Sequence, residues 1–141
     1  MLRTMTVEDN LLFRETFKGY LLSEFPSMEM IEAANGEEAF KRLSSAAVDL
    51  VFMDIRLPGE SGLELTRKIK ANHKNVTIAI LTSYDLAEYR EAAARCGADC
   101  FITKDSTKWD QVSVMVKCFQ RAKNSTGLKP GCVRLASGGS Q

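Results

Sequence analysis

The sequence predicts an α/β fold in which helices cover both faces of a five-stranded parallel sheet. Short apolar segments with strand character alternate strictly with segments of helical character, and five such β-then-α units follow one another. The chain has 141 residues, 45% of them hydrophobic, which is enough for one globular domain but too few for two comfortable ones. Because each crossover between parallel strands must bury its helix against the sheet in a right-handed sense, this alternation predicts a doubly wound sheet.

Five segments have the composition of β-strands. The run VTIAILT is the most β-branched and predicts a central strand that is buried on both faces. The run MEMIEAA alternates in polarity, as expected for a strand with one wetter face, and VDLVFM is mostly apolar. The predicted strands are residues 2–7, 28–34, 48–53, 76–82 and 99–103.

A helix is predicted after each strand. Residues 11–24 carry apolar side chains at helical spacing, and Asn35 with Glu38 forms a capping-box-like pair at the start of the second helix. Residues 85–96 are rich in Ala and Glu, and Gly97 is well placed to end that helix. The helix after the third strand is predicted to end near residue 71. The helix after the fifth strand is predicted to start near Thr107.

Charge and cysteine content exclude several classes of partner. Lys and Arg total 19 against 18 acids, and the net charge of +1 argues against nucleic acid or membrane contact. Charged residues occur too early in the N-terminal segment for a signal peptide. No apolar run approaches the length of a membrane span, which is about 18 residues. The four cysteines (Cys96, Cys100, Cys118 and Cys132) lack CxxC spacing, which predicts free thiols in a reducing, cytoplasmic environment.

The chain changes character near its end. Residues 1–122 contain all the periodic segments and are predicted to form the folded domain. Residues 123–141 are rich in Gly, Ser and Lys without periodicity, which predicts a flexible linker or tail. That segment is too short for a helix-turn-helix, so we expect no output domain in it.

Polar residues stand where four of the predicted strands end. Glu8 and Asp9 follow the first strand, Asp54 follows the third, Thr82 ends the fourth and Lys104 follows the fifth. In an open parallel sheet, ligands bind beyond the carboxyl ends of the strands. Each residue alone has a simpler interpretation, such as a turn, a helix cap or a solvated side chain. Because one edge of the sheet gathers all five, we predict a site there.

The residue types at this edge indicate phosphoryl chemistry. Three crowded carboxylates resist ionisation unless a cation lies among them, and hard oxygen ligands of this kind suit Mg²⁺. A hydroxyl and a lysine are suited to bind the oxygens of a phosphoryl group. Asp54 is therefore predicted to be a nucleophilic carboxylate that forms an acyl phosphate beside a metal ion.

Four motifs in order resemble one known family. "TVEDN", "VFMDIRLPGESGLEL", "IAILTSYD" and "GADCFITKD" are similar to the receiver domain of two-component response regulators, over about residues 2–122. The resemblance implies a CheY-like, flavodoxin-like fold with strand order 2-1-3-4-5. It also implies a partner, a sensor histidine kinase or a phosphotransfer protein, that supplies the phosphoryl group.

The resemblance assigns the metal and phosphoryl positions residue by residue. Asp54 would be the phosphoacceptor, Asp9 a direct Mg²⁺ ligand and Glu8 an acid that acts through water. Arg56 would offer its backbone carbonyl to the metal. Glu8 stands where many members have Asp, a longer side chain with the same charge.

The resemblance also assigns a switch. Thr82 would give its hydroxyl and Lys104 its ammonium to the phosphoryl group, while Phe101 matches an aromatic that swings inward on activation. Phe101 replaces the common Tyr, and Asp105 follows Lys104 where many members have Pro. Arg56 and Tyr84, each two residues beyond a site residue, are bulky and predict slow loss of the phosphoryl group.

Three functions are compatible with these residues. The first is a phosphorylation-dependent signalling switch, not an enzyme in its own right, that relays its state through residues 85–120 and forms the receiver part of a transcriptional regulator. That face would also serve a homodimer. The second is a stand-alone or phosphorylation-independent interaction module. The third is a haloacid-dehalogenase-like phosphatase, which needs a second Asp where Arg56 stands.

Overall fold

The computed structural model describes residues 2–105 and 109–126 of the chain. Strands and helices alternate throughout these residues, as the sequence predicts. The elements are β1 (Arg3–Val7), α1 (Leu11–Glu24), β2 (Glu29–Ala33), α2 (Gly36–Ser45), β3 (Leu50–Met53), α3 (Gly62–Asn72), β4 (Thr77–Thr82), α4 (Ala87–Arg95), β5 (Cys100–Thr103) and α5 (Trp109–Thr126).

The strands form one parallel sheet in the order β2-β1-β3-β4-β5, which confirms the predicted order. One row of paired residues crosses the whole sheet, from Ala33 through Val7, Met53 and Ile80 to Phe101. The acids that follow Val7 and Met53 therefore leave neighbouring strands at the same level. This register brings the carboxyl ends of β1 and β3 together.

Two hydrophobic clusters fill the two faces of the sheet. Helices α1 and α5 cover one face, where Phe17 and Met115 pack around Phe52 of β3. Helices α2, α3 and α4 cover the other, where Leu65 packs around Met53. A fully buried side chain of this size contributes about 1.5–3 kcal/mol relative to exposure, so both faces hold the sheet rigid beneath its carboxyl edge.

Local side-chain bonds fix where the helices begin and end. Asn10 caps α1 by accepting the Phe13 N–H, and Asn35 caps α2 by accepting the Glu38 N–H. The carboxylate of Glu38 binds the N–H of Ala34, one residue before the position expected for a capping box. Gly97, the predicted end of α4, follows the helix with a φ of +95°, in the left-handed region.

The chain end differs from the sequence-based boundaries. The predicted start of the last helix near Thr107 lies outside the described residues, and α5 is described from Trp109 to Thr126. Residues 123–126, assigned to the tail by composition, thus continue the helix, while residues 127–141 lie outside the description. Within the described residues, no helix has the length and apolar character needed to cross a membrane.

The described cysteines form no disulfide with one another, as their spacing predicts. Cys96 and Cys118 are partly exposed and Cys100 is buried in β5. Cys132 lies outside the described residues.

Candidate functional site

Three acids meet at the carboxyl edge of the sheet. Glu8, Asp9 and Asp54 each offer a carboxylate oxygen, and these oxygens lie within 4.8 Å of one another. Glu8 is only 2% exposed and Asp54 only 6%, whereas Asp9 is exposed. The pairing register explains the meeting, because β1 and β3 are hydrogen-bonded neighbours whose last residues, Val7 and Met53, lie side by side.

The carboxylate of Asp54 is strongly perturbed. Its pKa is raised from 3.8 to about 6, mainly because burial disfavours the ionised form and next because the Glu8 carboxylate repels it. Lys104 and the N–H of Ile55, which donates to Asp54 Oδ1 at 2.9 Å, act in the opposite direction. Asp54 is therefore a carboxylate whose negative charge is poorly compensated by the protein alone.

Lys104 reaches two of these acids. Its Nζ lies 2.5 Å from Glu8 Oε1 and 3.5 Å from Asp54 Oδ2. The other oxygen of Glu8 accepts the N–H of Asn10 at 2.9 Å, so both oxygens of this buried carboxylate have partners. The sequence places Lys104 in the site but does not reveal that its closer partner is Glu8.

The donor set fits a hard divalent cation. Three carboxylates share one small space, and Lys104 supplies an ammonium to two of them, which leaves net negative charge at this edge. Carboxylate oxygens are the ligands that Mg²⁺ prefers, and a dication would relieve the repulsion that raises the pKa of Asp54. Arg56 follows Asp54 by two residues, and its side chain is exposed.

Thr82 and Phe101 are buried beside this site. Thr82 is the last residue of β4, its hydroxyl accepts the N–H of Tyr84 at 3.3 Å, and its carbonyl accepts the N–H of Lys104 at 2.8 Å. Phe101 is 2% exposed in β5, with the guanidinium of Arg90 4.7 Å from its ring centroid. The ring thus already points into the core and is covered by α4.

Arg56 and Tyr84, which the sequence places separately, are in contact. The guanidinium carbon of Arg56 lies 4.3 Å from the centroid of the Tyr84 ring. A hydrogen bond with the phenol of Tyr89 is the main cause that raises the pKa of Arg56. The Tyr84 and Tyr89 rings also meet edge to face, with centroids 6.2 Å apart. Tyr89 belongs to the residues 85–120 predicted as a contact face, and it joins this exposed cluster to α4.

Gly62, the first residue of α3, supports the backbone of the site. A Cβ at this position would lie 1.8 Å from the backbone oxygen of Asp54, so no side chain fits there without backbone movement. The N–H of Gly62 also donates to Ile55 O at 2.8 Å. The glycine before a predicted helix was the available signal, but the close approach itself is a tertiary feature.

Open space adjoins the lysine. A pocket of about 460 Å³ is lined by Ser83, Asp85, Thr103, Lys104 and Asp105. It leaves the solvent side of Lys104 accessible to a bound group or to water.

Comparisons with known proteins agree with this geometry. The family model for the response regulator receiver domain matches residues 4–116. Over 100 residues, the chain is 38% identical to a cyclic di-GMP phosphodiesterase of Thermotoga maritima, covering 71% of this chain and 26% of that protein. It is 37% identical to the aerobic respiration control protein ArcA of Escherichia coli K12, covering 71% of this chain and 41% of that protein. The chain thus spans less than half the length of these relatives.

A solved structure adds a ligand-bound relative. The chain is 37% identical to the response regulator protein TrrA of Thermotoga maritima, with a TM-score of 0.74, covering 83% of this chain and 97% of that one. That protein was crystallised in complex with Mg(2+)-BeF.

Proposed function

The chain belongs to the response regulator receiver domain family, and from this premise we propose that it is a phosphorylation-controlled signalling switch whose phosphoacceptor is Asp54. The observation that carries the proposal is the setting of Asp54. It is a buried carboxylate with the oxygens of Glu8 and Asp9 within 4.8 Å and the ammonium of Lys104 3.5 Å away. A second candidate, a haloacid-dehalogenase-like phosphatase, is set aside because the family is known and Arg56 occupies the acid/base position.

The proposed reaction is transfer from a phosphohistidine of a partner kinase or phosphotransfer protein. A carboxylate oxygen of Asp54 attacks phosphorus, and the phosphorus–nitrogen bond breaks. Its electron pair goes to the imidazole nitrogen of the partner, which then takes a proton. Since the pKa of Asp54 is about 6, most of the carboxylate is ionised at neutral pH and available as a nucleophile.

The chain's own residues would stabilise the acyl phosphate. Lys104 is close enough to Asp54 to donate N–H groups to phosphoryl oxygens, and Thr82 ends the adjacent strand with a hydroxyl. Glu8, Asp9, Asp54 and the backbone carbonyl of Arg56 would hold Mg²⁺, which when bound neutralises the charge on the phosphoryl oxygens. In this assignment the chain catalyses only its own phosphorylation and dephosphorylation.

The proposed output runs through the face built from α4, β5 and α5. A shift of Thr82 toward the phosphoryl group would open space beside Phe101, a ring that is already buried and covered by Arg90 of α4. The resulting repacking changes residues 85–120, which we propose as the surface of a homodimer or a target contact. Because relatives include the respiration control protein ArcA, we propose a cytoplasmic transcriptional regulator as the parent protein.

Intact mass spectrometry tests the phosphoacceptor. The protein incubated with Mg²⁺ and a small phosphodonor should gain one phosphoryl group, and Asp54→Asn should gain none. An unmodified parent chain, or an equal adduct on the variant, contradicts the proposal. The alternative of a phosphorylation-independent interaction module predicts that unmodified parent.

Amide hydrogen exchange tests the output face. Addition of beryllofluoride with Mg²⁺ as a phosphate mimic should change exchange in residues 85–120 much more than in residues 10–45. A uniform response across the domain, or no response, contradicts the proposed relay but leaves Asp54 as phosphoacceptor.

A further inference from the structure

An aromatic ring of α1 lies against the ammonium of Lys104. The Nζ of Lys104 is 4.4 Å from the ring centroid of Phe13, within the range of a cation–π contact. The same nitrogen lies 2.5 Å from Glu8 and 3.5 Å from Asp54, and the side chain of Lys104 is only 15% exposed. The ammonium therefore has two carboxylates and one aromatic ring as neighbours.

The ring of Phe13 is held in place by its own surroundings. It stacks on Phe17 with centroids 5.6 Å apart and meets the edge of Trp109 at 6.1 Å. Its backbone N–H is bound by the Asn10 side chain that caps α1. Phe13 is thus anchored by the first helical turn and by an aromatic group that continues into the core, so its face is a fixed platform.

The contact with Phe13 affects which position the Lys104 ammonium occupies. Lys104 also lines the open pocket of about 460 Å³, which offers its ammonium a hydrated position away from Glu8 and Asp54. A ring face attracts a cation through its quadrupole without using a particular N–H, so the ammonium keeps its three donors for oxygen acceptors. A leucine of similar bulk at position 13 would cover the lysine stem but would not attract the charge.

We propose that Phe13 is a positioning residue, which holds the Lys104 ammonium beside Asp54 where a phosphoryl group needs a counter-charge. This inference rests on the proposed function of Asp54, although its geometric part does not. Phe13 acts through Lys104 rather than through the reacting carboxylate or the other acids. It is therefore expected to alter the rate of phosphoryl transfer even when Mg²⁺ is saturating.

Nuclear magnetic resonance of the metal-free protein tests the geometry without any phosphorylation. Protons on the ε-methylene of Lys104 should resonate upfield, because this methylene is bonded to the Nζ that lies 4.4 Å from the centroid of the Phe13 ring. Phe13→Leu should remove this shift and Phe13→Tyr should keep it, while Leu12→Ala, a neighbouring residue that is 78% exposed, should not alter it. An unchanged Lys104 resonance in Phe13→Leu would overturn the proposal. Phe13→Met serves the same purpose if the leucine variant does not fold.

Phosphorylation kinetics test the role. With saturating Mg²⁺ and a small acyl phosphate as donor, Phe13→Leu should be phosphorylated about three- to tenfold more slowly, and Phe13→Tyr should restore the parent rate. On a Lys104→Met background, Phe13→Leu should cause no further loss, since the two residues act as one unit. Equal rates for the parent protein and Phe13→Leu, or a loss that Phe13→Tyr does not restore, would overturn the proposal.

The two arms separate this inference from the function on which it rests. If the parent chain takes no phosphoryl group at all, the proposed function of Asp54 fails, and the resonance of Lys104 still decides whether Phe13 positions the ammonium. If Asp54 is phosphorylated at a rate indifferent to Phe13, only the positioning role fails.

Discussion

The two ends of the sheet carry the same kinds of charged residue but balance them differently. At the amino end, Arg3 pairs with Glu29 at 2.8 Å, and its N–H donates to Asp49 at 2.9 Å. Lys70 pairs with Asp99 at 3.0 Å, and Asp99 also accepts a backbone N–H of β4. Each acid of this group therefore has a basic partner or a backbone donor.

The carboxyl end lacks such a balance. There Glu8, Asp9 and Asp54 crowd together, and the described contacts bring Lys104 to two of them. Burial is the main cause that raises the pKa of Asp54, and the repulsion of the Glu8 carboxylate is the second. One end of the sheet uses charge to hold strands together, whereas the other retains unsatisfied charge that can bind a cation or a phosphoryl group. This difference predicts that removal of an acid at the amino end lowers the stability of the fold. Removal of an acid at the carboxyl end should leave the stability of the metal-free fold unchanged or raise it.

The largest expected effect concerns the backbone that supports the carboxyl end. Gly62→Ala should destabilise the protein by about 3 kcal/mol or more, because its Cβ would collide with the backbone oxygen of Asp54. Gly19→Ala is the matched control, since no described atom lies within 4 Å of its Cβ, and α1 should gain up to about 1 kcal/mol. Urea unfolding of both variants checks this. Equal stability of Gly62→Ala and the parent would show that the loop can move freely.

The second prediction uses pH to expose the imbalance. The pKa of Asp54 is raised from 3.8 to about 6 in the folded protein, so the folded state binds more protons than the unfolded state between these values. Stability therefore falls as pH rises through this window. Asp54→Asn should stabilise the metal-free protein by about 2–3 kcal/mol at pH 7 and above, and this gain should vanish near pH 4.

Thermal or urea unfolding of the two proteins at several pH values, in the presence of a chelator, measures this difference. Added Mg²⁺ should reduce the advantage of the Asn variant, since a cation compensates the charge of Asp54. An advantage that is constant from pH 4 to pH 8 would contradict the assigned cause.

The third prediction compares one acid from each end directly. Asp99→Ala removes the partner of Lys70 and the acceptor of the Ile78 N–H, so it should cost about 1–3 kcal/mol of stability. It should not change Mg²⁺ affinity. Asp9→Ala should show the reverse, with Mg²⁺ binding at least about tenfold weaker and a fold that is equally or slightly more stable. Calorimetry with Mg²⁺ and urea unfolding check both variants, and equal Mg²⁺ affinity in Asp9→Ala and Asp99→Ala would remove the distinction between the ends.

The sequence predicts those features that depend on local pattern and on general rules of topology. Alternating segments predict the parallel sheet, and the rule for parallel sheets places Glu8, Asp54 and Lys104 at one edge. Strand ends are less predictable. Residues 48–53 have strand character, yet β3 begins at Leu50, because pairing with β1 and β4 sets its length.

Contacts between distant residues are the part that pattern does not reveal. The stack of Lys104 on Phe13 joins residues that are far apart in the sequence, and an aromatic in the apolar stripe of a helix predicts only core packing. The same holds for Arg56 and Tyr84, whose contact depends on how two loops fold. The approach of Gly62 to Asp54 O is likewise a result of tertiary packing.

The smallest expected effect is kinetic and concerns the exposed rim of the carboxyl end. Hydrolysis of an acyl phosphate on Asp54 needs a water aligned opposite the bond that breaks, so side chains over the pocket should govern its rate. The guanidinium of Arg56 lies over the Tyr84 ring, and the Tyr84 and Tyr89 rings meet edge to face, which makes the cover a connected cluster. Neither Arg nor Tyr is suited to accept a proton from water. We therefore expect a phosphorylated state that lasts minutes or longer.

Replacement of Arg56 and Tyr84 together by Ala should accelerate loss of the phosphoryl group roughly tenfold with Mg²⁺ present, equivalent to about 1.4 kcal/mol of barrier. Tyr89→Phe removes only the phenol that raises the pKa of Arg56 and keeps the ring, so it should produce a smaller acceleration in the same direction. Arg67→Ala, which removes an exposed arginine paired with Glu64 on α3, is the matched control and should not alter the rate. The rate of phosphate release after removal of the donor is measured for each of these proteins. A double variant that loses its phosphoryl group at the parent rate would show that the cluster does not shield the site, because free access of water would already exist in the parent.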